Sequence, residues 1–396
     1  MSTIRRYDVR PSRPLLVWVG VVAVVYGLAT AATAMVTPPR VDTATVIAQN
    51  LLHGQASIGY QPTALDTVTR DGQTYHIIGL GPVLAYLPLA PFPALETVSR
   101  WIVSLVFGVL AASLAWPFAA AFGPEGRTRW WLAALVAFGT LLFPLSARGS
   151  FFYLAHSEAM AATLACLIEW QGRRRPWVIG LAIGLGALAR PTLLLALLPL
   201  GGRLLWTSRG RLRTAVALAA PTGAALAAIG AWNAVRFGSP LETGYTIAVL
   251  HNAVLIEARA RGAFSLRHVG PNLATLIGGG FDVQARFPWL VPSAYGHSIL
   301  LTTPALLAVA GAPWRDHTSR VLVASAGLIT MVLLAYYGGA GFHTYGYRYF
   351  LDATPFLLAL VALAARRGFG ATEQALIVLS VAFCSYGVLA GILRLG

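Results

Sequence analysis

The chain has 396 residues, 57% hydrophobic and only 11% charged, where a soluble domain carries about 25% charged residues. That composition excludes a soluble enzyme, a disordered chain and a disulfide scaffold. The formal charge of +15 comes from 29 basic residues, all arginine, against 14 acidic ones; the arginines recur in short clusters between apolar runs, which is how charge sets membrane topology and not how a protein grips nucleic acid.

A bilayer core takes about 20 apolar residues per helix, which predicts spans near 15–36, 101–122, 130–147, 157–171, 214–232, 298–313, 321–338, 350–365 and 373–393. The first follows Arg5, Arg6, Arg10 and Arg13, placing the N-terminus in the cytoplasm; it reads as an uncleaved anchor, with cleavage after Ala32-Thr33-Ala34 the lesser alternative. Gly79–Leu89 is rejected as a span because it is short and contains Pro82 and Pro88. A tenth apolar region, 176–206, is interrupted by Arg190-Pro191. If the Arg203 to Arg213 cluster shares the cytoplasmic side with Arg127, Arg129, Arg173 to Arg175, Arg315, Arg320, Arg366 and Arg367, this region must leave and return as two limbs. Limbs of about 15 residues reach only about 22 Å, so the turn with Arg190 is expected below the outer surface, where an ionisable group is tolerated only in protein or a wet cavity. The expectation is an all-α polytopic membrane protein, a single domain over 1–396. It has about eleven membrane segments counting the limbs, N-terminus inside and C-terminus outside, with long external segments at 37–100 and 233–297. Cys166 and Cys384 lie inside apolar runs and build neither a disulfide framework nor a four-ligand metal site.

In this topology His53, His76, His156, His251, His268, His297 and His343 fall outside and only His317 inside, and Asp42, Asp66, Asp71, Glu158, Glu242, Glu257, Asp282 and Asp352 lie outside or at the outer boundary. Any chemistry therefore faces outward. Asp42 opens Thr43–His53, which suits an interfacial helix; it reads either as an ordinary N-cap or as a general base at a cavity mouth. Arg190, inside an apolar hairpin, must pair, snorkel or meet an anion. Arg348 lies among His343, Tyr345, Tyr347 and Tyr349, which form either an interfacial aromatic belt or a sugar-phosphate pocket in which a guanidinium grips phosphate. His156 and Glu158 open a span and read as wall residues. Gly180, Gly184 and Gly186 read as close helix packing, and no zincin, P-loop or Gly-x-Ser-x-Gly pattern occurs in the right context.

A string of weak motifs in a fixed order resembles the prokaryotic multipass glycosyltransferases of the GT-C fold, especially those related to protein mannosyltransferases and aminoarabinose transferases. Asp42 with Ala48 and Asn50–Gly54 is similar to the opening of that family's first external loop. Asp71-Gly72 through Tyr75-His76, then Gly79-Leu80-Gly81-Pro82 and Leu87-Pro88, is similar to the loop's end, with the central Pro-Gly pair reversed. Phe151-Phe152 with His156, Gly180 to Arg190-Pro191, Asn233 through Arg236-Phe237-Gly238-Ser239-Pro240 to Tyr245, and Gly346 to Tyr349 with Pro355-Phe356 continue the series. The resemblance runs from about residue 42 to 356. It implies a GT-C-like helical domain in a bacterial inner membrane that moves a hexose or pentose from a polyprenyl-phosphate carrier to a cell-envelope glycan, lipid or protein acceptor. Transfer would occur on the outer face with inversion. It implies Asp42 as base, Arg348 and Arg190 on the carrier phosphate, and His76, His156, Glu158, His343, Tyr345 and Tyr347 around the substrate cavity. No nucleotide site is needed; a divalent cation is left open. Many relatives carry two adjacent first-loop acids, whereas Thr43 follows Asp42 here, so a second acid would come from elsewhere, Asp66 or Glu158 being the candidates. A transporter or lipid flippase also uses broken helices and intramembrane charge, and a catalytically degenerate scaffold is the third reading.

Overall fold

The computed structural model describes residues 12–341 and 344–393, and helix accounts for 67% of it. In chain order the helices are α1 Arg13–Val36, α2 Thr43–Leu51, α3 Leu80–Tyr86, α4 Ser99–Ser113, α5 Ala115–Phe122, α6 Gly126–Phe138, α7 Leu142–Ser146, α8 Phe151–Gln171, α9 Pro176–Ala189, α10 Leu197–Thr207, α11 Arg211–Phe237, α12 Ala253–Ala260, α13 Val269–Gly278, α14 Ile299–Thr302, α15 His317–Ala335, α16 Thr354–Ala364 and α17 Ala371–Ile392. Among the described residues six stretches are long and apolar enough to cross a bilayer: α1, Ser99–Phe122 (α4 with α5), α8, α11, α15 and α17. The other expected segments form shorter pieces. The run 130–147 is divided between α6 and α7. In 298–313, Pro304 follows α14 and starts a 3-10 turn, Pro304–Gly311, and α16 is preceded by the 3-10 turn Arg348–Asp352. Proline cannot donate to the turn before it, which is why the 298–313 run breaks at Pro304.

The 176–206 region does leave and return. A Cβ added at Gly180 would sit 2.3 Å from the Leu218 carbonyl oxygen, and one at Gly184 would sit 3.1 Å from both the Pro221 carbonyl oxygen and the Ala225 Cβ; Thr222 Oγ1 also donates to the Gly180 carbonyl at 3.1 Å. Residue numbers rise together along both helices, so α9 runs parallel to α11. On α10 the order is opposite: Ser208 pairs with Thr214 at 2.7 Å and Gly201 abuts Leu218. Between the limbs, Arg190 and the 3-10 turn Pro191–Ala196 make the bend. Extending the α9/α11 register puts Arg190 roughly 10 Å short of Phe237 at 1.5 Å per residue.

The segment 37–100 is built locally. Strands β1 Thr67–Arg70 and β2 Gln73–His76 pair antiparallel with Arg70 opposite Gln73. Asp71 and Gly72 between them have φ of 51° and 72°, the pair of positive values that a two-residue hairpin turn needs and that Asp-Gly supplies at little steric cost. Above α4, Thr45 bonds Ser99 at 2.8 Å and Gln49 donates to Glu96 at 2.8 Å, holding α2 down. The large apolar core lies between the spans, around Tyr26, Phe118, Leu135 and Phe356. A smaller one, with Ile47, Val83, Tyr86, Phe151 and Trp232, lies against the segment 37–100. In the segment 233–297, β3 Asp282–Val283 and β4 Leu290–Val291 form a short hairpin.

Candidate functional site

Asp42 occupies the N-cap position of α2, but its carboxylate makes no capping hydrogen bond. It turns instead to the end of α3 and the start of α8, where Oδ2 accepts from the Tyr86 hydroxyl at 3.1 Å and from the Phe151 amide at 3.3 Å. Only 7% of Asp42 is exposed. Burial raises its pKa above the ordinary carboxylate value, against the Phe151 amide, the Tyr86 hydroxyl, the nearby Ala44 amide and the Arg100 guanidinium, which pull it down. Tyr86 has its own pKa raised by burial and by Asp42, so it stays a hydrogen-bond donor.

His76 ends β2. Its Nδ1 accepts from the Ile78 amide at 3.1 Å; burial, with Arg236 adding to it, lowers its pKa to about 3. The ring is neutral and keeps its proton on Nε2. What fixes this corner is Arg236 at the end of α11, which donates to the carbonyls of His76 at 2.6 Å and Ile78 at 2.8 Å and to Asn233 at 3.0 Å. Asn233 and Arg236 thus clamp the end of β2 onto α11.

Arg190 does pair. Its Nη2 meets Asp352 Oδ2 at 2.9 Å and its Nε meets the same oxygen at 3.0 Å; Thr192 donates to that oxygen at 2.7 Å, and His156 Nδ1 lies 3.4 Å from Oδ1. Asp352 therefore ties the α9–α10 bend to α8 and to the turn before α16. Arg348 is different: it donates to the Tyr349 hydroxyl at 3.0 Å, its Nε is buried without a hydrogen-bond partner, and no carboxylate pairs with it among the described residues. The two guanidiniums lie 4.8 and 4.9 Å from the centroid of one ring, that of Tyr349.

These residues line three adjoining cavities that share walls. A chamber of about 270 Å³ is lined by Arg40, Asp42, Gln61, His76 and Phe152. A neck of about 90 Å³ has His76, His156, Arg190, Arg348 and Tyr349 on its walls. A second chamber of about 420 Å³ is lined by Asp66, His251, Asn252, Tyr336, Arg348 and Tyr349. Phe152 borders all three. Asp66 reaches both the neck and the second chamber. Burial raises its pKa, against the pull of Arg348, His251 and Arg259.

Of the residues expected around the cavity, Asp42, His76, His156, Arg190 and Arg348 are gathered here. Tyr345 is fully buried, donates to the Phe383 carbonyl and packs beside Phe281 and His297. Tyr347 is buried with its hydroxyl unpartnered. Neither lines any of the three spaces; a 3-10 turn starts at Arg348, so Tyr349 does not follow them into the core. Glu158 is buried against Gly81, where an added Cβ would meet its Oε2 at 2.8 Å, and it too is absent from their walls. Of the two candidates for a second acid, only Asp66 faces the cavity. His343 lies outside the described residues. Tyr86 was not singled out from sequence, Asp352 and Arg236 were named there without a role in the site, and Tyr349 was offered either to an aromatic belt or to a pocket; the available signal for Asp352 was that an intramembrane arginine requires a partner. Among the described residues no three His, Cys, Asp or Glu side chains converge as a metal site. No protein-family model, curated protein or solved structure matches the chain.

Proposed function

We propose that this protein is a membrane glycosyltransferase of the GT-C kind, which transfers a sugar from a polyprenyl-phosphate carrier to an acceptor hydroxyl on the outer face of a bacterial inner membrane, with inversion. One observation carries the reading: a buried carboxylate turned away from its helix cap, and an arginine with no carboxylate partner among the described residues, line adjoining cavities that share Phe152 as a wall. An acceptor hydroxyl in the Asp42 chamber would lose its proton to Oδ1 as its oxygen attacks the anomeric carbon. The bond from that carbon to the phosphate oxygen breaks, and the electron pair leaves with the phosphate, whose charge Arg348 stabilises in a water-poor site. Base and leaving group on opposite sides of the sugar are what inversion demands. Arg190, neutralised by Asp352, orients Tyr349 and sets the wall against which Arg348 works. Neutral His76, with its proton on Nε2, offers a donor at the neck.

The test is Asp42→Asn in proteoliposomes given a panel of radiolabelled polyprenyl-phosphate sugars and cell-envelope acceptors. Asparagine keeps an oxygen for Tyr86 and Phe151 but cannot take a proton, so transfer should fall about 10²- to 10⁴-fold, the usual worth of a general base. Unchanged transfer would remove Asp42 from that role. Cysteines introduced near 60 and 260 should label from outside; labelling from the cytoplasm would undo the outward-facing site.

A further inference from the structure

We propose that the β3–β4 hairpin is a membrane-interface anchor that inserts its tip among phospholipid headgroups and so seats the loop carrying Arg348. The tip exposes large apolar side chains outside any helix: Phe287 is 68% and Trp289 60% exposed, with Val283 and Leu290 exposed beside them. Arg286, next to Phe287, is also exposed, a cation suited to anionic headgroups.

Depth is fixed by the packing of the hairpin on α17. The Tyr386 hydroxyl donates to the Leu290 carbonyl, and Phe281, just before β3, stacks on Phe383 at 6.3 Å and meets Tyr386 edge-on at 5.6 Å. The 22 residues of α17 span about 33 Å, and Tyr386 lies about 9 Å from the end of that helix, in the last third of a length that matches the hydrocarbon layer. Two opposing requirements then converge on one zone. A two-stranded ladder leaves open edges that need water or headgroups and is not tolerated facing hydrocarbon, while exposed tryptophan and phenylalanine at the same level favour the apolar side of the interface. Only the interfacial layer satisfies both.

The hairpin's base is joined to the candidate site. Ser298 donates its amide to the Gly279 carbonyl at 2.8 Å, closing the base. Next to it, His297 Nδ1 accepts from the Gly346 amide at 2.9 Å; an added Cβ on Gly296 would lie 2.9 Å from the Gly346 carbonyl oxygen. Gly346 is two residues from Arg348, so the position of the hairpin sets the position of that segment.

The experiment places a nitroxide at Trp289→Cys, and separately at Phe287→Cys, in full-length protein reconstituted into phosphatidylcholine/phosphatidylglycerol vesicles. Both sites are exposed, so neither label removes core packing, and Cys166 and Cys384 are buried. A label at Asp71→Cys, on the tip of the other external hairpin, is the aqueous control. Insertion predicts an oxygen-to-nickel-complex collision ratio several-fold higher at 287 and 289 than at 71. Equal ratios at all three positions would overturn the proposal. So would strong dipolar broadening between labels at 289, which would make a second copy of the chain the occupant. The readout needs no turnover, so its failure is separate from failure of the glycosyltransferase reading.

Discussion

Arg190 and Arg348 approach the same tyrosine ring from two segments 158 positions apart in the chain and sit within 5 Å of its centroid, yet their charges are handled in opposite ways. Arg190 is closed off: Asp352 accepts from it, Thr192 occupies the same carboxylate and His156 flanks the other oxygen. Arg348 has one tyrosine hydroxyl and an unpartnered Nε. A buried charge that is paired and hydrogen-bonded is architecture, whereas one left open beside a cavity is a binding site in need of an anion. On the proposed reading the carrier phosphate falls to Arg348, and Arg190 is part of the frame.

Substitutions break this comparison at either end. The largest effect on stability is expected at Asp352→Ala, which leaves Arg190 buried and unpaired; removing one partner of a buried ion pair costs about 3–5 kcal/mol, read as lost resistance to unfolding in detergent. Arg348→Met should cost about 10²- to 10³-fold in transfer, the range for removing one preorganised charge donor, with stability unchanged or improved because an unpaired buried cation is gone. If Arg348→Met unfolds the protein while Asp352→Ala leaves it intact, the assignment is reversed. A smaller loss, about 1–3 kcal/mol for overpacking, is expected for Gly180→Ala, because its Cβ would strike the Leu218 backbone and not a movable side chain.

The pH dependence sharpens the other end of the cavity. Asp42 has its pKa raised by burial, so the base form is lost as pH falls through a value above that of a free carboxylate, and kcat/KM should drop tenfold per unit below it. For stability the sign is opposite: a raised carboxylate pKa means the folded state binds the proton more tightly, so the buried charge costs stability above the folded value and that cost is relieved as pH falls towards the unfolded value. Asp42→Asn should therefore remove the acid limb of the rate profile without lowering stability at pH 7, checked by rate profiles and unfolding on the same samples.

Part of this was legible in the residues. Apolar length predicted the six long spans, Asp71-Gly72 marked a turn, and the arginine interrupting 176–206 forced a recessed hairpin that had to pair or bind. These follow from local rules: bilayer thickness, backbone sterics and the impossibility of a lone buried charge. What only the tertiary structure decided were relations between distant segments. The carboxylate answering Arg190 is 162 positions away. Asp42 leaves the cap that its position invites because Tyr86 and the Phe151 amide, from two other helices, offer it better donors. Tyr345 and Tyr347 turn inward where Tyr349 does not, and Glu158 faces Gly81 instead of the cavity. Chain sequence fixes what each backbone segment tolerates; which side chain meets which charge is set by packing that brings α2, α3, α8 and the α9–α10 bend together, and no spacing within a single segment carries that information.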